Sequence, residues 1–307
     1  MKNILILSRK DDRESYDNKP SYTKALEGID TKCSYTIDEY ENLLFWYDGN
    51  ELKVQLGNSG VDIASFDAVF LVGWFQLKIH EDMALSISKY LSHKGVKVVN
   101  SEASFVRSKS KLSQYVVAAV NDISITPFLF SMTPSVLAAA ITEKWQYGYP
   151  VIMKGVQSSR GNDNYLVETA EEAHKYAYTM KSDHSPWFVV QQFIPNEGDY
   201  RIVVMGDAVT AVIHRRSVTD SHLNNTSKGG EAQLSDASSL PQEVVDQSVK
   251  LAGLLHREVT GVDMIRKTDT QEFYLLEINN MPQLATGSYV TDKLQRLDNY
   301  FAELDND

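Results

Sequence analysis

The chain has 307 residues, 43% of them hydrophobic, enough to bury a substantial core in one large domain or two to three small ones. Its 41 Asp and Glu against 30 Lys and Arg, a net charge of −11, exclude the broad basic face that duplex nucleic acid requires. A single cysteine, Cys33, excludes an intrachain disulfide and a cysteine-based zinc site, so a reducing cytoplasm is the expected compartment.

In chain order, the apolar run Ile4–Leu7 is too short for a secretory or membrane-spanning segment and predicts a first buried strand. A second strand is expected over Ala68–Val72. It is followed by an amphipathic stretch, Met83–Lys94, and a third strand, Val96–Asn100. Strands alternating with helical patterns point to a parallel, Rossmann-like α/β unit over residues 1–100. No G-x-G-x-x-G follows its first strand, so a dinucleotide role has no support. The aromatic run Phe45-Trp46-Tyr47 is expected in a core, as is Gly73-Trp74-Phe75, although either would suit a pocket wall.

Residues 101–184 read as an α+β segment: helix Lys111–Val120, strand Pro127–Phe130, helix Ser135–Lys144, strand Pro150–Lys154, a glycine-containing loop, strand Tyr165–Glu168 and helix Ala170–Met180. Lys154 ends an apolar strand. The small residues after it, with Ser158, Ser159 and Gly161 among them, would let backbone N–H groups cradle a phosphate. A plain strand–loop–strand turn would use the same residues, and the spacing is not that of a P-loop. Ser182–Pro186 reads as a linker to the last segment, 185–307.

Trp187–Arg216 reads as three successive strands. The turn Gly206-Asp207 would pair Met205 with Ala208 and Arg201 with Val212, placing Arg201, His214 and Arg216 on one face, suited to polyphosphate or a developing oxyanion. Further on, Gly261–Ile265 and Phe273–Asn279 form a hairpin if they close about Thr270. Asp263 then lies opposite Glu277, with Asn279 on the same face by the period of two. Like charges directly opposite are destabilising, and a divalent cation would turn that repulsion into a site; oxygen-only donors suit Mg²⁺. The competing reading is a solvated acidic edge. The histidines at 80, 93, 174, 184, 222 and 256 show no ligand spacing, and no G-x-S-x-G elbow is present.

Taken together, these elements resemble the ATP-grasp superfamily and, within it, the RimK-like carboxylate–amine ligases, over roughly Val99 to Leu284. The likeness rests on Ser108–Leu112, Pro150–Lys154 with its loop, Val189–Pro195, Gly198–Arg201, His214–Arg216, Asn225–Gly230, Gly261–Asp263 and Leu276–Asn279 in that order. By that resemblance the fold is an ATP-grasp fold behind the N-terminal unit, and the cofactors are ATP and two Mg²⁺, with Mn²⁺ as a possible substitute. Lys111 and Lys154 would hold phosphates beneath a lid containing Ser158, Ser159 and Gly161. Gln191 would meet adenine with its side chain, Gln192 and Ile194 with their backbone, and Asp199 the ribose. Asp263, Glu277 and Asn279 would bind the metals, with Glu277 bridging, and Arg201 and Arg216 would stabilise the oxyanion. Asn225, Gly229 and Gly230 would form a second lid. The implied substrates are amino-acid, peptide or small-molecule carboxylates and amines, without nucleic acid or membrane, in a chain that forms dimers or tetramers in many relatives.

The implied reaction activates a carboxylate as an acyl-phosphate, which an amine then attacks, releasing ADP and phosphate. A nucleotide-binding scaffold and an ATP-grasp kinase are the alternatives. Two positions depart from the pattern. Gln192 stands where many relatives carry glutamate, and Asn280-Met281-Pro282-Gln283 stands where proline is commonly followed by glycine.

Overall fold

The structure is a computed structural model that describes residues 1–11, 16–73, 78–105, 110–156, 163–179, 187–216 and 231–305. The N-terminal strands β1 (Asn3–Ser8) and β2 (Ser34–Glu39) lie in one sheet with β5 (Ala68–Leu71) and β6 (Lys97–Val99). Between them in sequence come β3 (Leu43–Tyr47) and β4 (Leu52–Leu56), which form a two-stranded sheet of their own. The four-stranded sheet runs β2-β1-β5-β6 with every pair parallel. Its two central strands, β1 and β5, are nearly continuous apolar runs because both faces are covered, whereas the edge strand β2 is mostly polar. Leu5, Leu7, Val69 and Leu71 face Ile87 and Leu91 of α2 (Lys78–Lys94). Ile4, Ile6 and Phe70 face Tyr22 of α1 (Lys19–Leu26) and Leu297 and Phe301 of the last helix, α7 (Val290–Glu303). Asp298 on α7 adds polar ties, accepting from the Lys32 and Cys33 N–H groups at 2.7 and 3.1 Å.

Five of these elements, α1, β2, β3, β4 and α7, are not among those expected from sequence. Phe45, Trp46 and Tyr47 are exposed rather than core, because among the described residues no second sheet covers this end of β3; Leu43 of β3 and Val54 and Leu56 of β4 turn inward. Trp74 and Phe75 lie outside the described residues.

The middle of the chain forms an antiparallel sheet, β7-β10-β8-β9, from β7 (Phe128–Phe130), β8 (Val151–Gly155), β9 (Asn164–Val167) and β10 (Phe188–Gln192). Alternation along β8 divides the work. Val151 and Met153 pack with Phe188 and Val190 against α4 (Pro134–Lys144) and α5 (Ala170–Thr179), while Ile152 and Lys154 face a cleft on the opposite side.

The third sheet, order β13-β12-β11-β14-β15, is antiparallel and comprises β11 (Asp199–Met205), β12 (Ala208–Arg216), β13 (Glu231–Ser235), β14 (Val259–Arg266) and β15 (Phe273–Asn279). Ile202, Val204, Val262 and Met264 bury one face against Val244 and Leu251 of α6 (Gln242–Leu254) and Ala118 of α3 (Lys111–Val120). The other face carries Arg201, Arg215 and Asp263.

A buried ion pair fixes the end of β15. Arg257 Nε donates to Glu102 Oε2 at 2.8 Å and its Nη1 donates to the Ile278 carbonyl at 2.7 Å, while Asn280 Nδ2 donates to Glu102 Oε1 at 2.9 Å. Both partners are almost fully buried. Glu102→Ala is therefore expected to cost about 3–5 kcal/mol, because it leaves the Arg257 charge buried without its carboxylate. Urea unfolding of the two proteins measures the difference.

Candidate active site

The cleft between the second and third sheets is an open space of about 880 Å³. Around it the fold gathers Lys111, Lys154, Gln191, Gln192, Ile194, Asp199, Asp263 and Glu277, each singled out in the sequence. Lys111 arrives on the first turn of α3, whose Ser110 cap accepts from the Ser113 N–H. Lys154 arrives from β8, and Asp263 and Glu277 from paired positions on β14 and β15. Asn279 is held beside them, its Nδ2 donating to Asp263 Oδ2 and Glu277 Oε1, each at 3.1 Å. Ser158, Ser159, Gly161, Asn225, Gly229 and Gly230 lie outside the described residues.

The Asp263–Glu277 pairing is as expected, but it arises by a different route. Near the turn Arg266 pairs with Phe273, which centres the hairpin between Asp269 and Thr270; a bulge then leaves Leu276 unmatched and brings Glu277 opposite Asp263.

The second hairpin departs from expectation. Met205 pairs with Ala208, but a bulge at Thr210 shifts the register so that Arg201 lies opposite Ile213, not Val212. Because a shift of one residue exchanges the two faces, Arg215 joins Arg201, while His214 and Arg216 turn to the opposite side. There His214 stacks on Tyr200 with ring centroids 4.2 Å apart, and Arg216 is exposed. Arg216 is thus the wrong arginine for this face. Arg215, adjacent in sequence, was missed because a bulge leaves no mark in a two-residue alternation.

Arg201 and Arg215 converge on Asp263. Arg201 makes a fork, Nε to Oδ1 at 2.9 Å and Nη2 to Oδ2 at 2.8 Å, and Arg215 Nη2 reaches Oδ2 at 3.1 Å. Arg215 Nε also donates to Asp199 Oδ1 at 2.5 Å. The like charges of Asp263 and Glu277 are therefore offset by guanidinium groups and by the Asn279 amide, so their juxtaposition does not of itself demand a metal. Burial pushes the Asp263 carboxyl upward, but Arg201 and Arg215 more than reverse this and hold it below its ordinary value. Asp199 is pushed up to about 6 by burial, against the pull of Arg215 and with repulsion from Asp263 added. Burial also opposes the Arg215 charge, yet Asp263 and Asp199 together raise its pKa.

Two observations test whether the residues fit a nucleotide and Mg²⁺. The buried Gln191 amide has Oε1 near the Tyr115 hydroxyl at 3.4 Å, but its Nε2 has no partner among the described residues and lies in a wall with Ile152, Ile194 and Leu276. A flat heteroaromatic ring with an acceptor nitrogen would satisfy that donor. The donors on the face expected to hold a metal are two carboxylates and one amide, with no cluster of three or more His, Cys, Asp or Glu among the described residues. Such a set suits Mg²⁺ that completes its shell with phosphate oxygens and water, provided Asn279 turns its carbonyl oxygen inward. Gln192 fits less well than expected, since its N–H already donates to the Pro127 carbonyl at 3.1 Å, leaving only its carbonyl for a base edge.

Lys154 lies in this cleft with its pKa lowered from 10.5 to about 8, first by burial and then by Lys111, with Glu277 opposing. The unfolded chain holds more protons between about pH 8 and 10.5, so this group's contribution to stability rises with pH across that window. A polyphosphate favours the charged form. Nucleotide binding at pH 8–8.5 is thus expected to take up part of a proton, and binding at pH 6.5 to take up none at this residue. Calorimetry in two buffers of different ionisation enthalpy measures the uptake, which Lys154→Met should remove.

Comparison with known proteins places residues 107–294 in a match to the RimK-like ATP-grasp domain. A probable alpha-L-glutamate ligase of Parasynechococcus marenigrum is 29% identical over 212 residues, 68% of this chain and 43% of that protein. One from Xanthomonas oryzae pv. oryzae is 27% identical over 291 residues, 92% of this chain and 90% of that protein. The chain thus spans under half of the first relative's length and nearly all of the second's. Among solved structures, a RiPP-associated ATP-grasp ligase from Chryseobacterium gregarium, in complex with ADP and a leader and core peptide, superposes with a TM-score of 0.66. It is 14% identical and matches over 99% of this chain and 96% of that one.

Proposed function

The chain belongs to the RimK-like ATP-grasp family, and we propose that within it the protein is an ATP-dependent ligase joining a carboxylate to an amine through an acyl-phosphate. The observation that carries this reading is the convergence of Lys111, Lys154 and Arg215 with Asp263 and Glu277 on one cleft, with Arg201 forked to Asp263 from the neighbouring pocket, and with Gln191 Nε2 in the cleft wall without a partner among the described residues.

In this reading Gln191 and the backbone of Gln192 and Ile194 orient the base, and Asp199 lies towards the ribose. Lys111 and Lys154 hold phosphate oxygens and offset the charge that moves as the γ-phosphoryl group transfers. Asp263, Glu277 and Asn279 would hold Mg²⁺, which when bound neutralises phosphate charge and aligns the transferring group. Arg201 and Arg215, rather than Arg216, face the position where a tetrahedral oxyanion forms when the amine attacks. Their attachment to Asp263 fixes them before the charge develops, so little reorganisation is needed. The substrates proposed are amino acids or peptides, the class named in the glutamate-ligase relatives and the peptide-bound neighbour.

The acyl-phosphate step has an atomic signature. One carboxylate oxygen bonds to phosphorus and leaves with it when the amine displaces phosphate. With an ¹⁸O-labelled carboxylate substrate, one ¹⁸O should appear in the released phosphate for each amide formed. Unlabelled phosphate accompanying amide product would rule out carboxylate activation.

A further inference from the structure

The segment after the metal strand carries an unusual residue. Gln283 has φ +63°, the left-handed region where glycine is at ease and a side chain is strained. The fold holds it there from both sides. Its carbonyl accepts from Lys293 Nζ, which also donates to the Thr286 carbonyl at 2.8 Å. Asp17, far away in sequence, accepts from the Leu284 and Ala285 N–H groups at 2.8 and 3.1 Å and from the Thr286 hydroxyl at 3.0 Å. Strain retained under such constraint is a reason to ask what the side chain does.

It reaches Arg201. Gln283 Oε1 accepts from Arg201 Nη1 at 2.8 Å. Arginine has only donors, so the amide oxygen must face it and the amide N–H₂ must point elsewhere. A second, smaller pocket lies here, between Arg201, Arg215, Pro282, Gln283, Ser288 and Lys293, and Arg215 lines both this pocket and the nucleotide cleft. Gly261 lets the wall close up, since a Cβ there would sit 3.1 Å from Pro282 Cβ and 3.5 Å from the Arg201 stem. The cations in this wall are largely matched: Arg201 by Asp263, Arg215 by Asp263 and Asp199, and Lys293 by two carbonyls and by the charge of Asp17. Such a wall suits one planar oxygen, not a multiply charged group.

We propose that Gln283 is a specificity-determining residue: its amide occupies one donor of Arg201 and presents its own N–H₂ to a carboxylate or carbonyl oxygen of the amino-acid or peptide substrate. The proposal rests on the ligase reading and adds to it the group that reads the substrate. A glycine at this position would leave Arg201 Nη1 open and the pocket wider, so the residue trades backbone ease for selection.

The test compares wild type, Gln283→Gly and Gln283→Glu in steady-state turnover with Mg²⁺-ATP, using a carboxylate substrate that wild type accepts and offering its amine partner both as free carboxylate and as carboxamide. Gln283→Gly removes the strain and should melt at the same temperature or a few degrees higher. Gln283→Glu keeps the contact to Arg201 but lacks the N–H₂ donor. Both should raise KM for one co-substrate about tenfold, the scale of one lost hydrogen bond, and leave KM for ATP within twofold. A larger penalty on the free carboxylate than on the carboxamide would identify the oxygen as a carboxylate, and equal penalties a carbonyl. Unchanged co-substrate KM in both variants would overturn the proposal, as would a rise in every KM together with a lower melting temperature. If wild type turns over no pair at all, the ligase reading falls and takes this proposal with it.

Discussion

Glu277→Gln is expected to leave a folded protein whose ATP-dependent turnover is lower by about 10²–10³-fold or more, the scale of losing one group that faces transition-state charge. The Glu277 side chain is 31% exposed and lies 3.7 Å from Lys111, an ion pair whose loss costs the fold little. Its partner across the strands, Asp263, is a poorer test of chemistry, because two buried guanidinium groups depend on it. Phosphate release at saturating substrates, with melting temperatures measured in parallel, separates the two effects. Activity within tenfold of wild type would remove Glu277 from the reaction.

The second large effect separates two neighbouring arginines. Arg215→Met leaves Asp199 and Asp263 without a shared buried cation, so it should cost about 3–5 kcal/mol of stability. Turnover in the protein that remains folded should fall by about 10²–10³-fold. Arg216→Met, at an exposed position on the opposite face of the sheet, should stay within about 0.5 kcal/mol of wild type and keep its rate. Denaturant unfolding and initial rates on both variants decide the matter. The reverse pattern would mean that the register through Thr210 is not the one the protein uses.

The contrast between these arginines shows what the sequence could and could not yield. Most strands and helices of the second and third sheets were legible as short apolar runs and amphipathic stretches, as in residues 151–154, whereas β13 and α6 were not among those expected. The carboxylate pair was legible because a short hairpin ties Asp263 to Glu277 within a few residues of a turn. Bulges break such counting. At Leu276 one happened to preserve the expected partner, and at Thr210 one exchanged the faces and with them Arg216 for Arg215.

What depended on distant contacts was not legible. Nothing near Asp17 in the sequence announces that it will hold the N–H groups of Leu284 and Ala285. The Arg257–Glu102 pair behind β15 likewise joins residues 155 apart. The exposed run Phe45–Tyr47 reads as core by composition alone, since composition cannot tell whether a strand has a second sheet to lie against. Gln283 stood out as a departure from a familiar pattern, but its left-handed backbone and its contact to Arg201 needed coordinates.

The most direct measurement is ADP and phosphate release with Mg²⁺-ATP across a panel of amino acids and short peptides, offered singly and in pairs, with products followed by mass. Release of both ADP and phosphate is expected only with a carboxylate and an amine together, with a product whose mass is the sum of the pair less one water. Tight ATP binding without turnover for any pair, or ADP release that leaves a phosphorylated product and no amide, would contradict the ligase reading.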